Sequence, residues 1–142
     1  NPLKAVSLDM PMPLDVAPSP PIPWMEKSDR LQSFSWVSPE LSSQWTSFME
    51  AVATLEARGN EVFVIFGPFN KHLLTEDNRA TYQPMEDVMI QWLADSGVAY
   101  MAPAPLASEL YADASHPIPA GYGVLADALS TSDSFQAFLA AE

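Results

Sequence analysis

The sequence has no cysteine, which removes a disulfide framework, a thiolate metal site and a cysteine nucleophile together. The compartment stays open, with a lean to secreted or periplasmic, because secreted enzymes of bacterial type often lack cysteine too. Cations are scarce as well: six lysines and arginines stand against 18 acidic residues, and none of the six lies beyond Arg79. From position 80 to the end the chain carries eight carboxylates and no basic residue to oppose them. Phosphate recognition needs clustered cations, so neither nucleic acid nor an anionic membrane surface is an expected partner. No apolar run approaches the roughly 20 residues of a membrane helix, and no signal-like apolar region stands at the start, so no membrane insertion is expected. The first residue is Asn1 rather than methionine, which is read as the mark of a processed or truncated chain.

What the chain does have is proline and apolar bulk. Seven of its 14 prolines fall within the first 23 residues (Pro2, Pro11, Pro13, Pro18, Pro20, Pro21 and Pro23). Each removes a backbone donor and fixes its own φ, so helix is excluded there. At most Lys4 to Leu8 reads as a short edge strand, and Pro11 to Pro23 as an extended arm. Residues 1–37 are therefore assigned to an arm or linker. Trp24, Met25, Leu31, Phe34, Trp36 and Val37 give it enough apolar surface to pack on the domain or on a partner. Overall 48% of the 142 residues are hydrophobic, enough for one folded domain over 38–142.

From Ser38 the apolar residues recur at helical spacing. Ser38 is the expected cap and Pro39 the first helical residue. Leu41, Trp45, Phe48, Met49, Val52 and Leu55 form the inward stripe, and Gly59 the stop. Glu61 to Gly67 is a near-continuous apolar run of strand length, the pattern of a parallel strand covered on both faces. A loop through about Asn78 leads to a helix bearing Met85, Val88, Met89, Trp92 and Leu93, ended near Gly97. Val98 to Ala102 reads as a second buried strand. A loop then runs to about Pro119, followed by a helix over Ala120 to Leu129 with Val124, Leu125, Ala128 and Leu129 inward. A short helix over Ser134 to Ala140, capped by Ser132 or Asp133, comes last. Helix and strand alternate as in an α/β fold with a parallel sheet. Two strands alone leave an edge bare, so a third is expected from the N-terminal arm or from another chain.

In open parallel sheets, ligands bind beyond the carboxyl ends of the strands, where the loops Gly67 to Asn78 and Pro103 to Pro119 begin. The second loop holds Asp113 and His116. Three residues apart, they can meet across a tight turn, the carboxylate fixing the imidazole tautomer while Nε2 is left to take a proton from a serine hydroxyl. Pro117 and Pro119 stiffen the exit, and Gly121 relieves crowding where the next helix starts. Ser115 lies inside the turn, pointing away from Nε2, and reads as a capping residue. His72 could join His116 and carboxylates around a metal, but the spacing is not diagnostic of one. No cofactor or metal is expected.

The run Asp113-Ala-Ser-His116-Pro-Ile-Pro-Ala-Gly121-Tyr-Gly-Val-Leu-Ala-Asp-Ala-Leu129 resembles the last block of SGNH/GDSL-type serine hydrolases, an Asp-x-x-His-Pro followed by Gly-Tyr and a Leu-Ala helix. The order of elements from about 38 to 140 is also similar. The resemblance implies a three-layer, flavodoxin-like α/β fold of which this chain is the C-terminal half. It implies an esterase in which Asp113 orients His116 and His116 is the general base. The expected substrates are O-acyl esters, with acylated carbohydrate or small acyl esters first. The family's Gly-Asp-Ser-Leu nucleophile motif and its oxyanion residues are absent. Ser7-Leu8 is the nearest match, with Val6 and Ala5 in place of Asp and Gly. The nucleophile is therefore expected on a missing N-terminal segment or another chain. Asn70, three residues after Gly67, reads as a loop cap or substrate-edge residue. The competing expectation is a non-catalytic α/β module that binds a partner through the arm from Pro11 to Trp36.

Overall fold

Ser42 begins the ordered helical part of the chain. Its backbone is extended (φ −83°, ψ 112°), and its Oγ accepts from the Trp45 N–H at 3.2 Å, starting helix α1 over Ser43–Ala57. This is a computed structural model, and it describes residues 31–141. The expected start at Pro39 is corrected: Pro39–Leu41 forms only a separate 3-10 turn, because Ser42 steps out of helical geometry. Leu41 consequently leaves the inward stripe and is 81% exposed.

Strand β1 (Phe63–Ile65) pairs in parallel with β2 (Ala99–Met101), Val64 opposite Tyr100, with one further bond from the Phe66 N–H to the Met101 carbonyl (2.9 Å). Both are shorter than the apolar runs that encode them, because Gly67-Pro68 and Pro103 end the pairing. Helices cover β1 on both faces, as expected, yet Ile65 is 49% exposed, since β1 has a neighbour on one edge only among the described residues.

Between the strands, helix α2 spans Glu76–Ser96. It starts earlier than the expected loop allowed, with Glu76 and Asp77 in the first turn, where the helix dipole favours them. Pro84 lies inside it and forgoes the bond to the carbonyl four residues back. Gly97, at φ 79°, supplies the left-handed exit that a side chain would strain. After β2 come a long loop, α3 (Pro119–Ser130) and α4 (Asp133–Ala140), the last capped by Ser132 on the Phe135 N–H.

Side chains alternate across a strand, so residues 64 and 66 face one way and 63 and 65 the other. Val64, Phe66 and Tyr100 pack with Phe48 and Val52 of α1 and Trp92 and Leu93 of α2, around a fully buried Leu93. Phe63 meets Phe135 and Phe138 of α4 on the opposite face, ring centroids 5.1 and 5.3 Å away. The result is a mixed α/β domain of four helices and a two-stranded parallel sheet among the described residues. Leu55 and Val124, expected inward, are instead 43% and 47% exposed. No helix among the described residues is long and apolar enough to cross a membrane.

The described end of the arm is fastened to the domain. Gln32 forms a single parallel bridge with Leu74, and Asn78 Oδ1 accepts from the Phe34 N–H and the Trp36 indole N–H while its Nδ2 donates to the Phe34 carbonyl. Phe34, Trp36, Phe69 and Tyr82 then cluster ring against ring. The readings placed on Lys4 to Leu8, Ser7, Pro11 to Pro23, Trp24 and Met25 lie outside the described residues.

Candidate active site

Tyr111 anchors the loop that follows β2. It has no exposed surface, and its hydroxyl accepts from the Leu106 N–H (3.0 Å) and donates to the Pro68 carbonyl (3.3 Å), tying this loop to the one that leaves β1. Burial pushes the phenol pKa up, so the hydroxyl keeps its proton and its donor role. Around Tyr111 the chain doubles back: Ile118 N–H donates to the Leu110 carbonyl and Ala112 N–H to the His116 carbonyl (2.8 Å each), and Tyr111 bridges Pro117. Sequence reasoning gives Tyr111 no role. Its only signal is a large aromatic in a loop between two prolines and the Asp-x-x-His turn.

Gly121 closes the base of this turn. A methyl group there would stand 2.5 Å from the Leu110 carbonyl oxygen and 2.9 Å from Pro117 Cβ. Gly121→Ala is expected to destabilise the domain by about 1–3 kcal/mol, because backbone must move to admit the extra carbon. Urea denaturation measures this, and a change below about 0.5 kcal/mol would show that the loop yields freely.

At the tip, Asp113 Oδ1 accepts from the backbone N–H groups of Ser115 and His116, both at 2.9 Å, which is how an aspartate closes a turn onto its own chain. The His116 ring stands with Nδ1 2.9 Å from both carboxylate oxygens. A carboxylate only accepts, so Nδ1 carries the proton, and in the neutral ring Nε2 is the acceptor. Ser115 Oγ lies 3.4 Å from that same Nδ1, the side that a serine nucleophile would not use. Both side chains are open to solvent, 69% for His116 and 56% for Asp113.

The Ser115 N–H, ahead of the His116 ring and the His116 N–H, holds the Asp113 carboxyl below its usual range against a smaller opposing effect of burial. A carboxyl depressed on folding stabilises the native state fully above its unfolded value of about 3.9. That contribution is lost as pH falls through the folded value. Asp113→Asn keeps an acceptor but no charge. It is therefore expected to flatten this part of the stability curve below about pH 4. Denaturation midpoints of parent and variant between pH 6 and 2.5 test it, and parallel curves would be the contrary result.

Asn70, expected at the substrate edge, is corrected on burial: none of its surface is exposed. Its N–H donates to the Ala114 carbonyl (2.8 Å) and its Nδ2 to the Asp113 carbonyl (3.1 Å), so it holds the turn from beneath. It stands at the start of the 3-10 turn Lys71–Leu73 without capping it through its side chain. Its Oδ1 is buried with no hydrogen-bond partner among the described residues. His72 is engaged elsewhere, its Nε2 3.0 Å from the Leu106 carbonyl, and no cluster of three or more His, Asp or Glu gathers among the described residues. Lys71, bonded to Glu86 and Gln83 and lying over the Tyr82 ring, fixes the same loop to α2.

Beside the turn lies an apolar hollow of about 350 Å³. Ser115 and Pro117 line it, together with Ile65 and Met101 from the sheet and Leu125 and Leu129 from α3. Comparison of the chain with protein-family models, with curated proteins and with solved structures finds no match.

Proposed function

We propose that this chain supplies the orienting acid and the general base of a serine ester hydrolase of SGNH/GDSL type. The observation that carries the reading is the turn itself: Asp113 holds the Nδ1 side of a solvent-reachable His116 at 2.9 Å, on the loop that leaves the carboxyl end of β2. With Nδ1–H directed at the carboxylate, Nε2 takes the proton of a serine hydroxyl as the oxygen attacks the ester carbonyl. The imidazolium so formed is stabilised by Asp113 and returns the proton to the departing alkoxide, leaving an acyl-enzyme. Water then repeats the sequence to release the acid. Asn70 and Tyr111 act as positioning residues, one beneath the turn and one at its root. The serine, the oxyanion donors and the rest of a three-layer frame come from outside residues 31–141. The substrate is an O-acyl ester, with small acyl esters and acetylated carbohydrate first.

The competing idea of a non-catalytic module docking a partner through the arm finds less support in its described end, where Phe34 and Trp36 turn towards Phe69 and Tyr82. The deciding experiment incubates the complete polypeptide with p-nitrophenyl acetate and, separately, with a serine-directed fluorophosphonate. Hydrolysis is expected, with label on a serine outside residues 31–141. No turnover and no label, or label on Ser115, would overturn the reading.

A further inference from the structure

We infer that Glu86, on helix α2, is a positioning residue for His116: through Lys71 it fixes the strip of chain on which the Asp113–His116 turn rests. Its place in catalysis rests on the esterase reading, whereas its hold on the turn does not.

The strip runs from Pro68 to Lys71, beyond the carboxyl end of β1, and its contacts alternate between two bodies. Pro68 and Asn70 serve the turn. The Pro68 carbonyl accepts from the Tyr111 hydroxyl (3.3 Å), and Asn70 gives its N–H to the Ala114 carbonyl (2.8 Å) and its Nδ2 to that of Asp113 (3.1 Å). Phe69 and Lys71 serve α2. The Phe69 ring centre lies 5.2 Å from that of Tyr82, and Lys71 Nζ stands 5.7 Å from the same Tyr82 ring while it bonds Glu86. Because neighbours on the strip grip opposite bodies, what shifts Lys71 shifts Asn70 with it.

Glu86 is placed to govern that grip. It is one helical turn beyond Tyr82, so the two share the side of α2 that meets the strip. Tyr82 is 6% exposed and Glu86 8%. A carboxylate so far from water has to be paired, and Glu86 accepts from Lys71 Nζ and from Gln83 Nε2 (2.9 Å). Burial, and then the Glu86 charge beside it, push the Tyr82 phenol pKa up, so the ring under Lys71 stays neutral. The Lys71 side chain is itself only 17% exposed. Gln83 Oε1, 2.9 Å from Nζ, offers it a second acceptor but no countercharge. An ammonium stripped of Glu86 is therefore an unpaired, largely buried charge that moves towards water and draws Asn70 along.

The turn's internal bonds survive such a shift, since Asp113 is tied to Ser115 and His116 within it. What changes is where the finished pair stands over the sheet. Displacement of that kind slows chemistry more than it weakens binding, and about 1 Å can lower a rate about 100-fold.

The complete polypeptide carries the test. Glu86→Gln is expected to lower kcat for p-nitrophenyl acetate about tenfold while KM stays within about twofold. Hydrogen exchange of the Asn70 backbone and side-chain amides is expected to quicken at least about fivefold relative to the Leu93 amide, which reports global stability. Lys71→Met approaches the same pair from the other side and is expected to give the same losses. Glu86→Asp keeps the charge on a shorter stem and is expected to stay within about threefold of the parent in both measurements. Unchanged kcat in Glu86→Gln, an Asn70 that exchanges no faster relative to Leu93, or Glu86→Asp falling as far as Glu86→Gln each overturns the proposal. A parent chain without turnover would sink the esterase reading alone, and the exchange comparison would still decide whether Glu86 holds the turn.

Discussion

His116→Ala is expected to lower kcat/KM for p-nitrophenyl acetate by about 10³- to 10⁴-fold in the complete polypeptide, with little change in melting temperature. The imidazole is 69% exposed and contributes nothing to either buried cluster, so its loss leaves the fold in place. What it removes is the acceptor at Nε2, without which a serine hydroxyl is a weak nucleophile at neutral pH. Asp113→Asn is a sharper version of the same experiment. An amide can donate to Nδ1 and so turn the tautomer round, placing the proton on Nε2 where the acceptor is needed. The two variants should therefore fall together in turnover while both remain folded. Turnover of His116→Ala within a few-fold of the parent would take the residue out of the mechanism.

Tyr111→Ala is expected to cost about 3–5 kcal/mol, a large part of the 5–15 kcal/mol that holds a domain of this kind together. The side chain is wholly buried with Leu73 and Leu106, so truncation leaves a cavity, and it also strands the Leu106 N–H and the Pro68 carbonyl. Tyr111→Phe separates the two effects. It keeps the ring and loses only the hydroxyl, with an expected cost of about 1–3 kcal/mol from the polar groups left without it. Urea midpoints at equal slope give both numbers. A cost below about 1 kcal/mol for the alanine variant would mean that the loop is held by something other than this residue.

Much of this architecture is legible from periodicity. The inward stripe of α1, the two apolar strand runs and the Gly97 stop are local signals, and the packing around Leu93 reinforces them. The mismatches share physical causes. Ser38 and Ser42 both precede plausible first turns, and only backbone geometry decides between them, so Leu41 lies outside the helix to which periodicity assigns it. Asn78 reads as a loop residue because its propensity is weak. It is helical since its side chain satisfies Phe34 and Trp36, partners more than 40 positions away. Ile65 reads as core from composition, yet its exposure depends on what lies beside β1. The turn of Asp113 and His116 is legible because three residues of separation let the carboxylate reach back to its own chain. The burial of Asn70 beneath it depends on a contact 43 residues distant and leaves no trace in the local pattern.

The doubling-back of residues 110–118 also bears on assembly. Its bonds join Leu110 to Ile118 and Ala112 to His116, so Asp113 and His116 ride on one self-closed miniature hairpin. Their alignment is set by bonds within one short loop, so bringing the pair together costs the proposed reaction no further entropy. In the proposed esterase, whatever supplies the serine and its oxyanion donors meets a His116 that Asp113 has already oriented.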